Sequence, residues 1–103
     1  MINKALSLIG LAYKARKVSS GEFAVEKAVK SYNAFLVIVA TDASDNTKKK
    51  FSDMCSYYET PIIFYSSKEE IGHCIGKEYR ASLAILDENF AAGIIEKIDS
   101  LSK

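Results

Sequence analysis

Apolar residues Ile2, Ala5, Leu6, Ile9, Ala12 and Tyr13 recur three and four positions apart, a spacing that predicts an amphipathic helix over residues 2–14. A short extended piece at Lys17 to Ser19 follows, and Gly21 then breaks the pattern. Ala24, Val25, Ala28, Val29 and Tyr32 mark the inner face of a second helix, whose outer face carries Glu22, Glu26, Lys27 and Lys30. Residues 34–40 read as a strand, because the six residues from Phe35 to Ala40 are all apolar. A run without alternation suits a strand covered on both faces. Its exit, Thr41 to Lys50, lies beyond the strand's carboxyl end, where ligands of α/β sheets usually bind.

Ser44 or Asp45 can cap a third helix by accepting its free backbone N–H groups. Phe51, Met54, Cys55 and Tyr58 form its buried stripe, while Lys48, Lys49 and Lys50 occupy its early turns, against the helix dipole. Residues 61–65 form a second strand with Pro61 at its first position. Ser67 and Glu70 have the spacing of a capping box, so Ser67 is expected to bond forward and Glu70 back. Ile71, Cys74 and Ile75 face inward, and Gly76 ends that helix in a left-handed conformation. Residues 81–86 are a further buried strand. Asp87 or Asn89 caps a last helix with Phe90, Ile94, Ile98 and Leu101 on one side. Alternating strands and helices predict an α/β sandwich, one domain over residues 1–103, with helices on both faces of a small sheet.

Composition is ordinary for a globular chain and excludes collagen-like, disordered and disulfide-stapled classes. No apolar run approaches a membrane span and the amino terminus makes a poor secretory leader, so a cytoplasmic protein without a membrane partner is expected. Cys55 and Cys74 fall on helix inner faces and are expected to be reduced, buried thiols. The net charge of +1 conceals an asymmetry. Residues 1–50 hold nine Lys/Arg against four Asp/Glu, and residues 51–103 hold five against nine. A basic half can create a local field for a polyanion in a nearly neutral protein.

Candidate catalysis is thin. His73 neighbours Cys74, but adjacent helical residues diverge by about 100° and do not form a nucleophile–base pair. Asp42, Asp45 and Asp53 lie near a strand exit without a metal-ligand spacing, and no nucleotide-binding loop is present. No catalytic residue, metal, cofactor or small-molecule substrate is therefore expected. The run from Ser19 to Glu22 opens a helix and can offer backbone N–H groups to a phosphate. The basic residues are more informative: Lys14, Arg16 and Lys17 before the Gly21 turn, Lys27 after it, Lys48 to Lys50, and Lys77, Tyr79 and Arg80 before the last strand. If these connections share one end of the sandwich, they gather cations, a helix amino terminus and an aromatic ring, the ingredients of an RNA surface.

Ordered segments then carry a resemblance. Gly21 with Lys27, Ala28 and Val29, then Ala34 to Asp42, then Cys55 with Thr60 and Pro61, then Glu70, Gly72 and Gly76, and finally Ala84 and Ile85 follow one another over roughly residues 3–98. This resembles the RNA-binding ribosomal-protein family of the archaeal kink-turn reader L-seven-Ae and its L-thirty-e relatives. The runs Val18 to Glu22 and Asp42 to Lys50 are similar to those of its small bacterial YlxQ-type branch. The resemblance implies a three-layer αβα fold around a mixed four-stranded sheet. It implies RNA contact from the Gly21 turn, the following helix, the end of the central strand and the loop before the last strand. Gly21 and Lys27 fall on the family's turn glycine and helix lysine. The chain departs from the pattern at Phe23 and Ala24, where kink-turn readers carry a polar base-reading pair, and at Lys77 to Arg80, which replace an apolar wedge.

Together these readings predict a monomeric, non-enzymatic protein that binds structured RNA, ribosomal or translation-associated, mainly through phosphates. Lys14, Arg16, Lys17, Ser20, Gly21, Lys27, Lys48, Lys77, Tyr79 and Arg80 are the expected contacts. The alternative is a protein-interaction module of the same fold, using the acidic second half and Tyr57, Tyr58 or Tyr65.

Overall fold

In the computed structural model, which describes residues 3–101 (Leu101 by its backbone alone), nine elements follow one another. They are α1 (Lys4–Lys14), β1 (Val18–Ser20), α2 (Glu22–Lys30), β2 (Leu36–Val39), α3 (Asp45–Tyr58), β3 (Ile62–Phe64), α4 (Lys68–Cys74), β4 (Ser82–Ile85) and α5 (Glu88–Leu101). The expected inward positions of Ile2 and of the Leu101 side chain lie outside the described residues. Side chains start most of the helices: Asn3 Oδ1 accepts from Leu6 N, Ser44 Oγ from Thr47 N, and Asp87 Oδ2 from Phe90 N. Of the two candidate caps at each site, Ser44 and Asp87 therefore act. The Ser67–Glu70 box forms by half. Ser67 Oγ accepts from Glu70 N at 3.1 Å, but the Glu70 carboxylate accepts from the Ser66 hydroxyl, also at 3.1 Å, instead of turning back to the Ser67 amide.

The sheet order is β1-β4-β2-β3, with β4 antiparallel to both β1 and β2 and β3 parallel to β2. It is mixed and four-stranded, as the resemblance implied. The central pair, β2 and β4, is fully buried, whereas β3 is an edge strand whose Phe64 is exposed. This is why residues 36–39 carry no polar alternation: helices cover both faces of that pair. One helical layer holds α1 against α4 and α5, and the other holds α2 against α3. Ile9, Val25, Val29, Leu36, Ile38, Phe51, Ile71, Leu83, Ile85 and Ile94 fill the space between.

Helix ends are the strained places. α1, α2 and α3 each close with a left-handed residue that is not glycine: Arg16 (φ 62°), Tyr32 (φ 60°) and Glu59 (φ 56°). In each case the next amide reaches back to the helix, Lys17 N to Ala12 O, Asn33 N to Ala28 O and Thr60 N to Cys55 O. The Tyr32 position thus ends α2 two residues before the apolar spacing suggested. Gly76 at φ 75° serves the same role after α4, as expected.

Candidate nucleic-acid interface

Strand directions decide which residues share an end. β1, β2 and β3 run the same way, so Ser20, Val39, Phe64 and the first residue of β4, Ser82, lie along one edge of the sheet. The turns at Gly21, Thr41–Ser44 and Ser66–Ser67 and the loop before β4 therefore meet there. Gly21 N donates to Ser82 O, fixing the turn against the start of β4. Gly21 has φ 94° and no side chain caps α2, so the amides of Glu22, Phe23 and Ala24 stay without a partner among the described residues. These amides and the positive end of the helix dipole favour an anion.

Arg80 completes this corner. Its Nε donates to Ser20 Oγ at 3.3 Å and its Nη1 to the Tyr79 carbonyl at 2.7 Å, while its own amide donates to Lys68 O. The loop holding it is pressed on α4, where Gly72 has no side chain to keep the Glu78 and Tyr79 backbone away. Tyr79 itself projects into solvent. The sequence reading thus placed Ser20, Gly21, Tyr79 and Arg80 in one site, and the structure brings them together.

Other expected members are separated from it. Lys17 O accepts from Leu86 N, at the opposite end of β1, so Lys17 sits about 13 Å from Gly21 along the strand, with Lys14 and Arg16 before it in the chain. Lys14 and Arg16 line an open groove of about 460 Å³ with Tyr13 and Val18. Lys27 is on the second turn of α2, beside a groove of about 370 Å³ shared with Phe23, Glu26, Lys30 and Ser31. The expected cations are thus spread over separate places in the fold rather than gathered in one cluster.

The lysine-rich exit of β2 departs further from expectation. Lys50 Nζ lies 2.7 Å from Glu26 and 3.7 Å from Glu22, Lys30 lies 3.0 Å from Glu26, and Lys49 lies 2.9 Å from Asp53. The hydrogen bond from Lys50 chiefly holds the Glu26 carboxyl below its ordinary range, and that same bond raises the Lys50 ammonium. Lys48 makes no ion pair among the described residues, but it lies two positions from Lys50, about 200° around the helix, and points away from α2. Lys77 belongs to the turn after Gly76 and makes no hydrogen bond to Ser20 or Arg80. Thr41 and Asp42 act as a latch: the Thr41 hydroxyl donates to Ser66 O and Asp42 Oδ1 accepts from Lys68 N.

Three features escaped sequence reasoning. The Glu22–Glu26–Lys50 bridge needs two helices side by side, although the four-residue spacing of the glutamates was a signal. The Asp42 latch had none. Phe23 was noted only as a departure, yet it is 84% exposed. Among the described residues no group of three or more His, Cys, Asp or Glu can hold a metal ion, and no helix is long and apolar enough to cross a membrane.

Residues 3–95 match the model of the Ribosomal protein L7Ae/L30e/S12e/Gadd45 family. The chain belongs to that family. It is 45% identical over 92 residues to the RNA-binding protein YlxQ of Bacillus subtilis (strain 168), covering 89% of this chain and 92% of that one. A solved structure of a protein of unknown function from Bacillus halodurans is similar at a TM-score of 0.92 and 38% identity, covering 95% and 99% of the two chains. The Giardia lamblia 15.5kD RNA binding protein superposes at a TM-score of 0.77 over 93% of this chain and 85% of that one. At 24% identity that likeness speaks for the shared fold alone.

Proposed function

We propose that this chain is a non-enzymatic RNA-binding protein, ribosomal or translation-associated, that holds structured RNA mainly through phosphates along its β1 side. The observation that carries the reading is the corner where Arg80, Ser20 and the uncapped start of α2 converge. A phosphate there meets a guanidinium, a hydroxyl and free amides together, all donors suited to an anion. Lys27 beside the same helix start, and Lys14, Arg16 and Lys17 at the other end of β1, would add further phosphate contacts in this reading. The name of the Bacillus subtilis relative, an RNA-binding protein, supports the same reading.

Phosphate contacts position an RNA without reading its bases. Phe23 and Ala24 carry no hydrogen-bonding side chain at the start of α2, so the site reads no base edge by hydrogen bonds there. Kink-turn RNA is accordingly expected to gain no large preference over other structured RNA that carries unpaired bases. The protein acts in this reading as a cytoplasmic monomer without cofactor. Fluorescence anisotropy with a labelled RNA hairpin over a salt series tests it: with four phosphates neutralised, log K falls against log salt with a slope of about −3.6 on duplex RNA and less on single strands. Absence of both binding at low salt and a salt slope would overturn the reading.

A protein-interaction role keeps one specific observation in its favour. Tyr58 meets Tyr32 at 5.5 Å and Tyr57 at 4.9 Å between ring centroids, both edge-on, at the end of the sandwich away from Gly21. Tyr32 and Tyr57 are largely exposed, whereas the Tyr65 hydroxyl is occupied by Asn3. A nuclease-resistant partner lost on replacing Tyr32 and Tyr57 by Ser would favour that role.

A further inference from the structure

We infer that Phe23 is a stacking platform for an unpaired base, which makes the RNA class recognised one that presents such a base beside its backbone: a bulge, a loop or a single-stranded end. The inference rests on the RNA reading above and sharpens it.

An exposed phenyl ring in the first turn of a helix needs an explanation. Val25, Ala28 and Val29 form the inner face of α2 and are buried. Phe23 lies two positions from Val25, about 200° around the helix, so its ring points away from the core. Among the described residues no aromatic partner stacks on it, and it has the largest exposure, 84%, of the large apolar side chains. Burying a Phe side chain is a sizeable hydrophobic gain, which this position forgoes in the free protein.

The surroundings select the occupant. The ring adjoins the unpartnered amides of the first α2 turn, and Lys27 lies one turn on, on the same side of the helix. Lys27 makes no ion pair among the described residues, while the nearby carboxylates Glu22 and Glu26 are engaged by Lys50 and Lys30. Phe23 and Lys27 line the same open groove. An apolar face bordered by free donors and an unpaired cation suits a group that is flat on one side and anionic on the other, which is the description of a nucleotide. Tyr79, 61% exposed next to Arg80, supplies a second ring at the same end of the sheet. A base inside a continuous duplex is stacked on its neighbours and offers no free face, so only an unpaired one can use Phe23. Because a phenyl ring carries no donor or acceptor, the preference is for an unpaired base of any identity.

The test uses the full chain and two hairpin RNAs of equal length. One carries a single bulged 2-aminopurine and the other is fully paired with the same label in its stem. Wild-type protein should bind the bulged hairpin about tenfold more tightly and change its 2-aminopurine fluorescence. Phe23→Ala should erase that preference while leaving affinity for the paired hairpin unchanged, and Phe23→Trp should keep it. Lys27→Ala should weaken both RNAs and reduce the salt slope. If Phe23→Ala leaves the bulge preference intact, or weakens both RNAs equally, the stacking role is overturned although RNA binding stands. If neither hairpin binds wild-type protein with a salt-dependent affinity, the RNA reading and the stacking role fall together. Circular dichroism of both Phe23 variants, expected to match wild type, separates these outcomes from misfolding.

Discussion

Arg80 and Ser20 stand sixty residues apart in the chain and 3.3 Å apart in space, guanidinium Nε to hydroxyl Oγ. That contact makes one site out of two connections that the chain reaches at very different times. Arg80→Ala should therefore lower affinity for a structured RNA several-fold at low salt. The slope of log K against log salt should become shallower by about 1, the signature of one lost phosphate contact. Ser20→Ala should leave the slope unchanged and cost less. An unaltered slope in Arg80→Ala would show that its guanidinium serves only to tie the loop to β1.

Gly72 controls the same loop from beneath. A Cβ there would sit 2.7 Å from Glu78 O and 2.8 Å from Tyr79 N, both backbone atoms that no side-chain rotation can clear. Gly72→Ala should destabilise the fold by about 1–3 kcal/mol in urea unfolding and weaken RNA binding as well, by displacing Tyr79 and Arg80. Gly10 offers the control. Its added Cβ would meet Cys74 O at 2.8 Å, where α1 and α4 touch. Gly10→Ala should lose comparable stability, yet leave RNA affinity near wild type at temperatures where it remains folded.

The element types were legible because each segment's apolar period is unambiguous: 3.6 in α1, α2 and α3, and none at all in β2. The corner of the site was legible in part, since Gly21 and the residues before β4 each mark a turn. Which end of β1 a given cation occupies was not. β1 is three half-buried residues long, and its direction follows from pairing with β4, which no local pattern encodes. Lys14, Arg16 and Lys17 were therefore grouped with Gly21 by sequence proximity, although a strand separates them. The state of the lysine triplet was hidden for a related reason. Whether Lys50 is free or bound depends on α2 lying beside α3, a tertiary fact, and in the fold Glu26 claims it.

Glu59 occupies a left-handed position after α3 where glycine is at ease. Its relief is offset by the greater freedom glycine brings to the unfolded chain, so the net gain is modest. Glu59→Gly should raise stability by about 0.5 kcal/mol, read as a higher urea midpoint with an unchanged m-value. Gly76→Ala, at φ 75°, should move the midpoint the other way.

Burial pushes the thiols of Cys55 and Cys74 up to about 11 from an ordinary value of 9.0. Between these values the folded chain keeps protons that the unfolded chain has released, so folding stability falls as pH rises above about 9. Urea unfolding at about pH 8 and 10 should show this loss, and it should be smaller in Cys74→Ala. Iodoacetamide at about pH 8 should label the native protein far more slowly than the urea-unfolded chain, because only the thiolate reacts.

The pairing of Val18 with Ile85 has a consequence for the order of events during synthesis. β1 emerges early from the ribosome but has no other strand to pair with than β4, almost at the end of the chain. Until Ile85 is available, Ser20 has no Arg80 beside it and the Gly21 turn has no Ser82 to rest on. The proposed phosphate corner is thus assembled only once nearly the whole chain has been made, by the same pairing that places β1 in the sheet.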